Sequence, residues 1–571
     1  MQMRDFVVRF AGEGGQGVVT SAEGLAQAST QVGYHALTYA TFPSQIMGGP
    51  TWTQARVSTD PILSAGDDVD VLVAFNEEAY ETHREDVRGD GLIIFNSNDF
   101  ELEGDDRSFG LPIDELARST GNTRAANMVV MGALAHLVNM PQYYLDEFVE
   151  KRFRRGREGD EEIISSNIAA LKLGRDHLAI SGFSLGELAP PEMPEYSQVM
   201  LKGNEAVSLG ACAAGLDFYV GYPISPATSI LVWMQRNLVG PGKFAYQASS
   251  EIESITAILG AGYAGKKAMT ATAGPGFSLM CEGLGLGWMA EIPLLVVDVQ
   301  RGGPATGLPT KTEQSDLFAC MYPAHGDVKL PVIAVGTVEE CFYGAIKALN
   351  WAERYQGPVV LMTEMSLAER VQNIRKPDLS KVVPETRQFY QGSNGYNRYE
   401  GFDLSPMPLP GQPGAYVANG SEHDEMGDTT HLPSRHIQMT ERRFSKLKLL
   451  EENEYEQDNP DASIVVMPWG ASKGPALEAY NVLKEQGMPV GWCYTMLLSP
   501  LPPKLLKELK QKELVIVPEL NYQGQFSSIL RSHGVKAESI TQYTGLPFRV
   551  RDLVQRITDM TKSPSEEMVR V

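Results

Sequence analysis

Short apolar runs that are typical of β-strands alternate with helix-like runs along most of this chain. In its first part the strand-like runs are RDFVVRFA, HALTYATF, VDVLVAFN and GLIIFN, and AANMVVMGALAHLV is typical of a helix. Apolar strands separated by helices usually form a mainly parallel sheet. The alternation therefore predicts the α/β class, with a mainly parallel sheet in this first part.

The length of the chain requires more than one hydrophobic core. It has 571 residues, and single cores stop growing near about 250 residues. The prolines of SLGELAPPEMPEYSQ mark a linker, and the strand–helix alternation resumes after it and again at ASIVVMPWG. We predict three doubly wound α/β domains at 1–195, 196–375 and 456–571, with an irregular wrapping segment and a linker helix at 376–455.

Residues 392–434 are rich in Gly, Pro, Asn and Tyr and show no sustained period. A segment this long predicts either an ordered excursion over a surface or disorder, and its aromatic residues favour order. It contains His423, His431 and His436, whose spacing matches no pattern with a known coordination logic. We therefore expect surface hydrogen bonds from these histidines rather than a metal site.

Charge and cysteine usage exclude several classes of partner. Lys plus Arg number 49 and Asp plus Glu number 71, so the formal net charge is −22, which repels nucleic acid and anionic lipid. The five cysteines are scattered without a C-x-x-C pair, and the apolar runs are too short to span a membrane. We expect a cytoplasmic protein with neither a nucleic-acid nor a membrane partner.

The run GEGGQG carries Gly12, Gly14, Gly15 and Gly17 between a predicted strand and a predicted helix. Glycines let the backbone approach an anion while the N–H groups of the helix face it. A nicotinamide dinucleotide site would also need an acidic residue about 20 residues further on, and ALTYATFPSQ has none. The pattern favours another anionic ligand, and a glycine-packed turn without a ligand is the alternative.

The run GYPISPATSI places Ser225 and Thr228 directly after a predicted strand and before a predicted helix. Its prolines fix the turn, and hydroxyls at the carboxyl end of a parallel strand are suited to binding a ligand. Either residue could instead cap the helix. Spacing alone does not separate the two interpretations.

The run VVDVQRGGPATGLPTKTEQSD carries Arg301 and Lys311 on a loop after a nearly continuous apolar strand. The planar guanidinium suits a carboxylate, and loops at strand ends often bind ligands. A surface loop with solvated charges is the alternative. The density of glycines and the buried character of the strand favour a site.

The run SSEIESITAILGAGYAGKKAMTATAGPG begins with Glu251 and Glu253. Acids at a helix start complement its dipole, and Ser249 or Ser250 is suited to cap it. Residues two apart lie about 200° around a helix, however, so both acids cannot serve one surface. We predict that one faces solvent while the other points into an Ala/Gly-lined crevice, where a carboxyl can share its proton with a heterocyclic nitrogen.

Three of these runs together resemble a known family. YPISPAT, SSEIESITAILGAGYAGKKAMTATAGPGFSLMCEGLG and IPLLVVDVQRGGPATGLPTKTEQSD resemble the α subunit of the 2-oxoacid:ferredoxin oxidoreductases, and GEGGQGVVTSAEGLA resembles the start of their γ subunit, fused in front. GSEHDEMG and PELNYQGQ fit the same fused chain. The resemblance implies, in chain order, a γ-type domain, a thiamine-pyrimidine-binding transketolase-like domain and a transketolase C-terminal-like domain.

The resemblance also implies roles for individual residues. Thiamine diphosphate would lie between this chain and a separate β subunit, with Glu251 hydrogen-bonded to the aminopyrimidine ring. Ser225, where the family usually has Thr, and Arg301 would contact the oxoacid. Further cofactor contacts are expected from Tyr222, Pro223, Ile224 and Gly274, and further oxoacid contacts from Thr228 and Lys311.

Two signatures expected of a complete enzyme are missing from the sequence. The α/β blocks after residue 196 contain no G-D-G followed by Asn for Mg²⁺ and the diphosphate, and the chain contains no cysteine set for a [4Fe–4S] cluster. The resemblance then implies that a β subunit supplies all three, in a heterotetramer of two α and two β chains that reduces ferredoxin. The N-terminal domain would act on coenzyme A through the glycine loop or through the loop TFPSQIMGG.

The substrate is expected to be 2-oxoglutarate. The fused chain with GSEHDEMG looks like the 2-oxoglutarate members, and a second carboxylate needs a second cation, for which Lys311 is the candidate. The expected reaction yields succinyl-CoA, CO₂ and reduced ferredoxin, or runs in reverse to fix CO₂. The alternatives are a pyruvate or branched-chain 2-oxoacid member and, from another class, a non-catalytic nucleotide- or acyl-CoA-binding protein.

Overall fold

The computed structural model describes residues 2–42, 49–402 and 404–562. They form two compact units, one made of residues up to Leu201 together with Arg370–Lys376, the other of Lys202–Glu369 together with the residues from Pro377 onward. Within the described ranges, no helix is both long enough and apolar enough to cross a membrane.

The elements of the chain up to Lys202 are β1 (Gln2–Met3), β2 (Asp5–Glu13), α1 (Val18–Gln31), β3 (His35–Thr41), β4 (Pro50–Ser58), β5 (Val69–Ala74), α2 (Glu77–His83), β6 (Val87–Asn96), β7 (Ser108–Leu111), α3 (Ile113–Ser119), α4 (Ala126–Leu137), α5 (Gln142–Phe153), α6 (Asp160–Ala179), β8 (Glu187–Leu188) and β9 (Gln198–Lys202). Those of the middle part are α7 (Gly203–Ala213), β10 (Phe218–Gly221), α8 (Thr228–Asn237), β11 (Phe244–Gln247), α9 (Glu251–Tyr263), β12 (Ala268–Thr272), α10 (Gly274–Met289), β13 (Leu294–Gln300), α11 (Leu317–Met321), β14 (Val332–Ala334), α12 (Val338–Tyr355), β15 (Pro358–Glu364), α13 (Met365–Ala368) and β16 (Val371–Arg375). The last part contains α14 (Pro433–Ser445), β17 (Glu456–Asp458), β18 (Ile464–Val466), α15 (Lys473–Glu485), β19 (Val490–Tyr494), β20 (Leu497–Ser499), α16 (Pro503–Leu509), β21 (Leu514–Glu519), α17 (Gln525–Ser532), β22 (Ala537–Thr541) and α18 (Val550–Lys562).

The main sheet of the first unit has the strand order β7-β6-β5-β2-β4-β3-β16-β9. Strands β2, β5, β6 and β7 are parallel, as predicted, but β4 pairs antiparallel with both β2 and β3, and β3 pairs antiparallel with β16. A parallel pair needs a crossover of a dozen or more residues, and residues 42–49 between β3 and β4 are too few. The expectation of a mainly parallel sheet therefore holds for only half of this one.

The second unit contains two further sheets. One has the order β11-β10-β12-β13-β15-β14-β20 and is parallel except at β20, and the other has the order β17-β19-β18-β21-β22 and is parallel except at β17. Near-continuous burial along β13 and β15 explains their unbroken apolar sequences. The predicted α/β class is confirmed.

Strands cross two of the predicted domain boundaries. The strand β16, placed by sequence in the second domain, belongs to the sheet of the first unit. The strand β20, placed by sequence in the third domain, pairs with β14 of the second. The first unit therefore includes Arg370–Lys376, and from Lys202 onward the predicted second and third domains otherwise lie together in the second unit.

The irregular segment packs a core of its own, as its aromatic residues indicated. Tyr399, Met407 and Tyr416 are buried together with Met439 of α14. Beside this cluster, the buried Glu291 carboxylate accepts hydrogen bonds at 2.8 Å from Arg442 Nε and from Lys446 Nζ. These contacts hold the segment and α14 against the rest of the second unit.

The expected surface position of the histidines is wrong for His423. It is fully buried, its ring lies 4.3 Å from that of Tyr399, and its Nδ1 is 3.1 Å from Ser421 O. The reason is a local turn, because the Asp424 side chain accepts the N–H groups of Met426 and Asp428 and so folds GSEHDEMG back on itself. His436 does hydrogen-bond to a carboxylate, that of Glu422. Among the described residues, no three His, Cys, Asp or Glu side chains are grouped as metal ligands would be.

Candidate active site

Four of the sequence-predicted site residues meet at one edge of the seven-stranded sheet. Strands β10, β11, β12 and β13 are neighbours and run parallel. The segments that leave their carboxyl ends carry Ser225, Glu251, Gly274 and Arg301 respectively. Because ligands of open α/β sheets bind at this edge, the topology alone makes it the candidate site.

The two glutamates at the start of α9 have different surroundings. Ser250 caps the helix by accepting the Glu253 N–H at 3.1 Å, and the Glu253 carboxylate in return accepts the N–H and the hydroxyl of Ser249 at 2.7 and 2.6 Å. The hydrogen bonds from Ser249 lower the pKa of Glu253. Glu253 is half-exposed and completes a reciprocal cap, so the capping interpretation applies to this residue.

Glu251 points the other way, as the helical spacing predicted. It is only 5% exposed, and within the described part of the chain its carboxyl has no hydrogen-bond or ion-pair partner. Its carboxyl group lies against Gly276, where an added Cβ would sit 2.6 Å from Glu251 Oε1 and 2.1 Å from Thr272 Oγ1. A buried carboxyl without a partner is unfavourable unless a ligand completes it.

Arg301 joins the β13 loop to the β10 loop. The residue is 7% exposed, and its Nη1 donates to Ser225 O at 2.7 Å. Its Nε is buried and has no hydrogen-bond partner among the described residues. Burial lowers the pKa of Arg301, and the nearby Asp316 carboxylate opposes that shift. One part of the guanidinium thus holds the loop while the Nε–H stays available to an acceptor.

The β10 loop presents its side chains rather than capping the next helix. Ser225 is exposed, Thr228 is half-buried, and in the described structure α8 begins at Thr228 with no side-chain cap. Asn204 steadies the loop by donating to Pro226 O at 3.0 Å and to Ser229 Oγ at 2.8 Å. The capping alternative for Ser225 and Thr228 is therefore wrong. The three preceding residues are 39% exposed at Tyr222 and half-buried at Pro223 and Ile224.

Sequence reasoning missed two acids, the half-buried Asp316 against Gly274 and the fully buried Asp298. An added Cβ at Gly274 would lie 2.8 Å from Asp316 Oδ2, so this carboxyl packs against the start of α10. Burial raises the pKa of Asp316 to about 6, with Glu313 adding to the shift and Arg301 opposing it. Burial and Asp316 likewise raise the pKa of Asp298. A single acid inside the apolar strand LLVVDVQ was the signal that could have revealed Asp298.

Lys311 lies at the end of a hairpin that begins at Arg301. The Gly302 N–H donates to Lys311 O at 3.0 Å, and the Leu308 N–H donates to Gly302 O at 2.8 Å. The side-chain carbons of Lys311 lie against Gly545, and burial lowers the pKa of the Lys311 ammonium. The ammonium has no hydrogen-bond partner within the described residues.

The glycine loop of the first unit has the predicted strand-to-helix setting. Gly12 lies in β2, and Gly15 and Gly17 adopt φ of +103° and +88°. Among the described residues, α1 has neither an acidic residue in its first turn nor a side-chain cap, and a Cβ added at Gly14 or Gly15 would meet no atom within 4 Å. The loop TFPSQIMGG, a second candidate for the coenzyme A side, falls largely on residues 43–48, outside the described residues.

Comparisons with known proteins cover nearly the whole chain. The family described as pyruvate ferredoxin/flavodoxin oxidoreductase matches residues 7–177, and the one described as pyruvate flavodoxin/ferredoxin oxidoreductase, thiamine diphosphate-binding, matches residues 209–442. The chain is 31% identical to the KorA subunit of 2-oxoglutarate oxidoreductase from Mycobacterium tuberculosis, over 96% of this chain and 90% of that one. It is 30% identical to the α subunit of 2-oxoacid:ferredoxin oxidoreductase 2 from Aeropyrum pernix, over 98% of each chain.

A solved structure is also similar over the full chain. It is the 2-oxoglutarate:ferredoxin oxidoreductase from Magnetococcus marinus with 2-oxoglutarate, coenzyme A and succinyl-CoA bound. The TM-score is 0.92 at 36% sequence identity, and the match covers 98% of this chain and 100% of that one.

Proposed function

This chain belongs to the family of 2-oxoacid:ferredoxin oxidoreductase α subunits, and from that premise we propose that its substrate is 2-oxoglutarate. The reaction is the oxidative decarboxylation of 2-oxoglutarate to succinyl-CoA and CO₂ with reduction of ferredoxin, or the reverse fixation of CO₂. The named activities of the Mycobacterium tuberculosis and Magnetococcus marinus relatives support this choice of oxoacid.

The observation that carries the proposal is the buried, unpartnered carboxyl of Glu251 at the edge of the sheet. Gly276 and Thr272 lie beside it, and a carboxyl in this setting fits the aminopyrimidine ring of thiamine diphosphate. When bound, thiamine diphosphate supplies the nucleophilic carbon for the 2-oxoacid and the electron sink for loss of CO₂. The Glu251 carboxyl would hold the ring by a hydrogen bond to its nitrogen, through a proton that the two groups can share. Tyr222, Pro223, Ile224 and Gly274 line the same edge.

The oxoacid is held by the two loops that Arg301 connects. The Arg301 Nε–H and the Ser225 hydroxyl are suited to the 2-oxo carboxylate, and Thr228 lies one turn further along the same loop and helix. Lys311, whose ammonium is free of hydrogen-bond partners among the described residues, pairs with the distal carboxylate. A dicarboxylate therefore uses both cations and a monocarboxylate only one.

Other parts of the reaction belong to partners. We assign Mg²⁺, the diphosphate site and the [4Fe–4S] cluster to a β subunit, in a heterotetramer of two α and two β chains. The support is that residues 196–571 contain no G-D-G motif, that the G-D-G at 89–91 lies inside strand β6 of the first unit, and that the cysteines are scattered. Ferredoxin is the electron acceptor. We assign coenzyme A to the glycine loop at Gly12, Gly14, Gly15 and Gly17, because backbone N–H groups at a strand-to-helix turn suit an anion. Free thiols at all five cysteines fit a reducing, cytoplasmic location.

The test is a substrate panel on the chain purified with its β subunit. Reduction of a viologen dye is followed with 2-oxoglutarate, pyruvate and branched-chain 2-oxoacids, with and without coenzyme A. The expected result is coenzyme A-dependent reduction with the highest kcat/KM for 2-oxoglutarate. A preference for pyruvate or a branched-chain acid would show another member of the family, and no oxoacid-dependent reduction would favour the non-catalytic binding protein.

A further inference from the structure

We infer that the C-terminal block of the second unit, residues 456–562, sets substrate selectivity by positioning Lys311, and that Gly545 is the positioning residue. Sequence reasoning assigned no site residue to this block. The inference rests on the proposed function, because it takes Lys311 as the residue that meets the distal carboxylate. The inference adds that contacts from the C-terminal block fix the position of Lys311.

The segment that follows Lys311 is hydrogen-bonded to the C-terminal block through residues 312, 314, 315 and 318. The Gln314 N–H donates to Leu520 O at 2.7 Å, and the Asn521 side chain donates to Gln314 O at 3.0 Å. The remaining bonds are Thr312 N–H to Gly545 O at 3.2 Å, Gln525 Nε2 to Ser315 O at 2.7 Å and Phe318 N–H to Gln525 Oε1 at 3.1 Å. The motif PELNYQGQ supplies three of these partners, Leu520, Asn521 and Gln525, and so fixes the position of this segment.

Gly545 makes the contact that reaches Lys311 itself. It has φ of +74°, and an added Cβ would lie 2.8 Å from Lys311 Cβ, 3.2 Å from Lys311 Cγ and 3.5 Å from Leu308 Cδ1. The atom at 2.8 Å is next to the backbone, so no side-chain rotation relieves the collision. The loop itself is braced, because the Gln542 side chain donates to Leu546 O at 2.8 Å and to Pro547 O at 3.1 Å. The hairpin would have to move instead.

Movement of the hairpin changes one part of the site and spares another. Lys311 is carried by the hairpin, whereas Arg301 is held separately by its bond to Ser225 O. Glu251 lies on α9 and depends on neither. A displaced hairpin therefore weakens binding of the distal carboxylate, which only a dicarboxylic oxoacid has, and leaves the common steps intact.

The experiment compares two glycine variants of the chain in complex with its β subunit. Gly545→Ala is matched by Gly487→Ala, since Gly487 has φ of +75° but no described atom within 4 Å of an added Cβ. Both carry the same backbone strain, and only Gly545→Ala meets Lys311. We expect Gly545→Ala to lower the ratio of kcat/KM for 2-oxoglutarate over pyruvate by about tenfold, mainly through KM, because misplacement by about 1 Å can cost about a hundredfold. Gly487→Ala leaves the ratio unchanged.

Lys311→Ala separates failure of this inference from failure of the proposed function. If Lys311→Ala lowers the ratio while Gly545→Ala behaves like Gly487→Ala, the inference is overturned and the proposed function stands. If the unsubstituted complex does not turn over 2-oxoglutarate, the proposed function is overturned and the inference with it. Should Gly545→Ala fail to fold, Leu308→Ala decides, because Leu308 is 47% exposed and touches the same loop. A loss of about threefold in the ratio supports the inference, and an unchanged ratio overturns it.

Discussion

The turn at residues 12–17 in the first unit and the turn at 273–276 in the second each follow a strand and begin a long helix. In the first turn the glycines are required by the backbone, because Gly15 and Gly17 have φ of +103° and +88°. Space is not limiting at Gly14 and Gly15, since among the described residues a Cβ at either would meet no atom within 4 Å, whereas at Gly12 it would lie 2.5 Å from Gln16 Oε1.

In the second turn, glycine is required by limited space and not by a left-handed backbone. Neither Gly274 nor Gly276 has positive φ among the described glycines, but an added Cβ would collide with the Asp316 carboxyl at the first and with the Glu251 carboxyl at the second. Glycine there makes room for acidic side chains that approach the helix start. The first turn thus exposes its backbone to solvent at Gly14 and Gly15, whereas the second turn packs against the carboxyl groups of Glu251 and Asp316. A substitution in the first turn should therefore act through backbone strain, and one in the second turn through collision with a carboxyl group.

The largest expected effect comes from the carboxyl that the second turn accommodates. Glu251→Gln keeps the shape of the side chain but cannot exchange the proton, so turnover of the complex should fall by about 10²–10⁴ while partner assembly is kept. Glu253→Gln is the matched control, because that side chain only completes the helix cap. Turnover and exchange of the thiamine C2 proton are measured on both. Sensitivity of Glu253 instead would show that the assigned register is wrong, and insensitivity of both would refute the thiamine interpretation.

Crowding the same carboxyl should have the next largest effect. In Gly276→Ala the new methyl would lie 2.6 Å from Glu251 Oε1 and 2.1 Å from Thr272 Oγ1. We expect turnover to fall by about 10–100-fold through misplacement of the carboxyl. Gly260→Ala, on α9 with no described atom within 4 Å of the added methyl, is the control and should retain full turnover. If Gly276→Ala and Gly260→Ala were equally active, the space that Gly276 leaves for the Glu251 carboxyl would not matter for turnover.

The acid behind Gly274 should make stability depend on pH. The pKa of Asp316 is raised from 3.8 to about 6, first by burial. The folded chain therefore binds this proton more tightly than the unfolded chain does, so stability falls as pH rises from about 4 to about 6 and stays lower at pH 7. Asp316→Asn abolishes this loss and should raise the free energy of unfolding at pH 7 by about 1–2 kcal/mol.

Urea unfolding at several pH values checks this prediction. Asp298 and Glu313 also face Asp316 and oppose its ionisation, whereas Arg301 favours it, so removing one acid relieves its neighbours. Glu13→Gln in the first turn is the control, because Glu13 is exposed and its replacement should leave the pH dependence unchanged. A less stable Asp316→Asn variant at pH 7 would show that the native carboxylate is favoured by its surroundings.

Local patterns explain which parts of this site could be predicted. The spacing of Glu251 and Glu253 separates their directions because the helix has a fixed period, and the alternation of apolar strands and helices predicts the α/β class. The position of Gly274 and Arg301 at one sheet edge follows from parallel strands in the same way.

Contacts between residues far apart in sequence carry no such signal. Nothing in a local window indicates that Asp316 packs against Gly274, that Arg301 donates to Ser225 O, or that Gly545 meets Lys311. The same limit applies to β16 and β20, which leave the blocks that their sequence neighbours form. The burial of His423 was missed because the spacing of the histidines was considered only for metal binding, and one local turn buries the ring.

The smallest expected effect comes from replacing Gly17 in the first turn, with Gly159 at the start of α6 as the matched control. Gly17 is the N-cap of α1 with φ of 88°, and Gly159 is the N-cap of α6 with φ of 89°. Replacing either by Ala forces a left-handed residue and should cost about 1 kcal/mol of stability. The first turn of α6 contains Asp160, Glu161 and Glu162, which repel an anion, whereas that of α1 has no acidic residue among those described.

Gly17→Ala should therefore raise the coenzyme A concentration for half-maximal activity by about threefold to tenfold, and Gly159→Ala should leave it unchanged at the same loss of stability. Because the strain is equal, a difference in coenzyme A dependence reports on the loop alone, and equal dependence in both variants would show that the open N–H groups of the first turn bind no anion of this reaction.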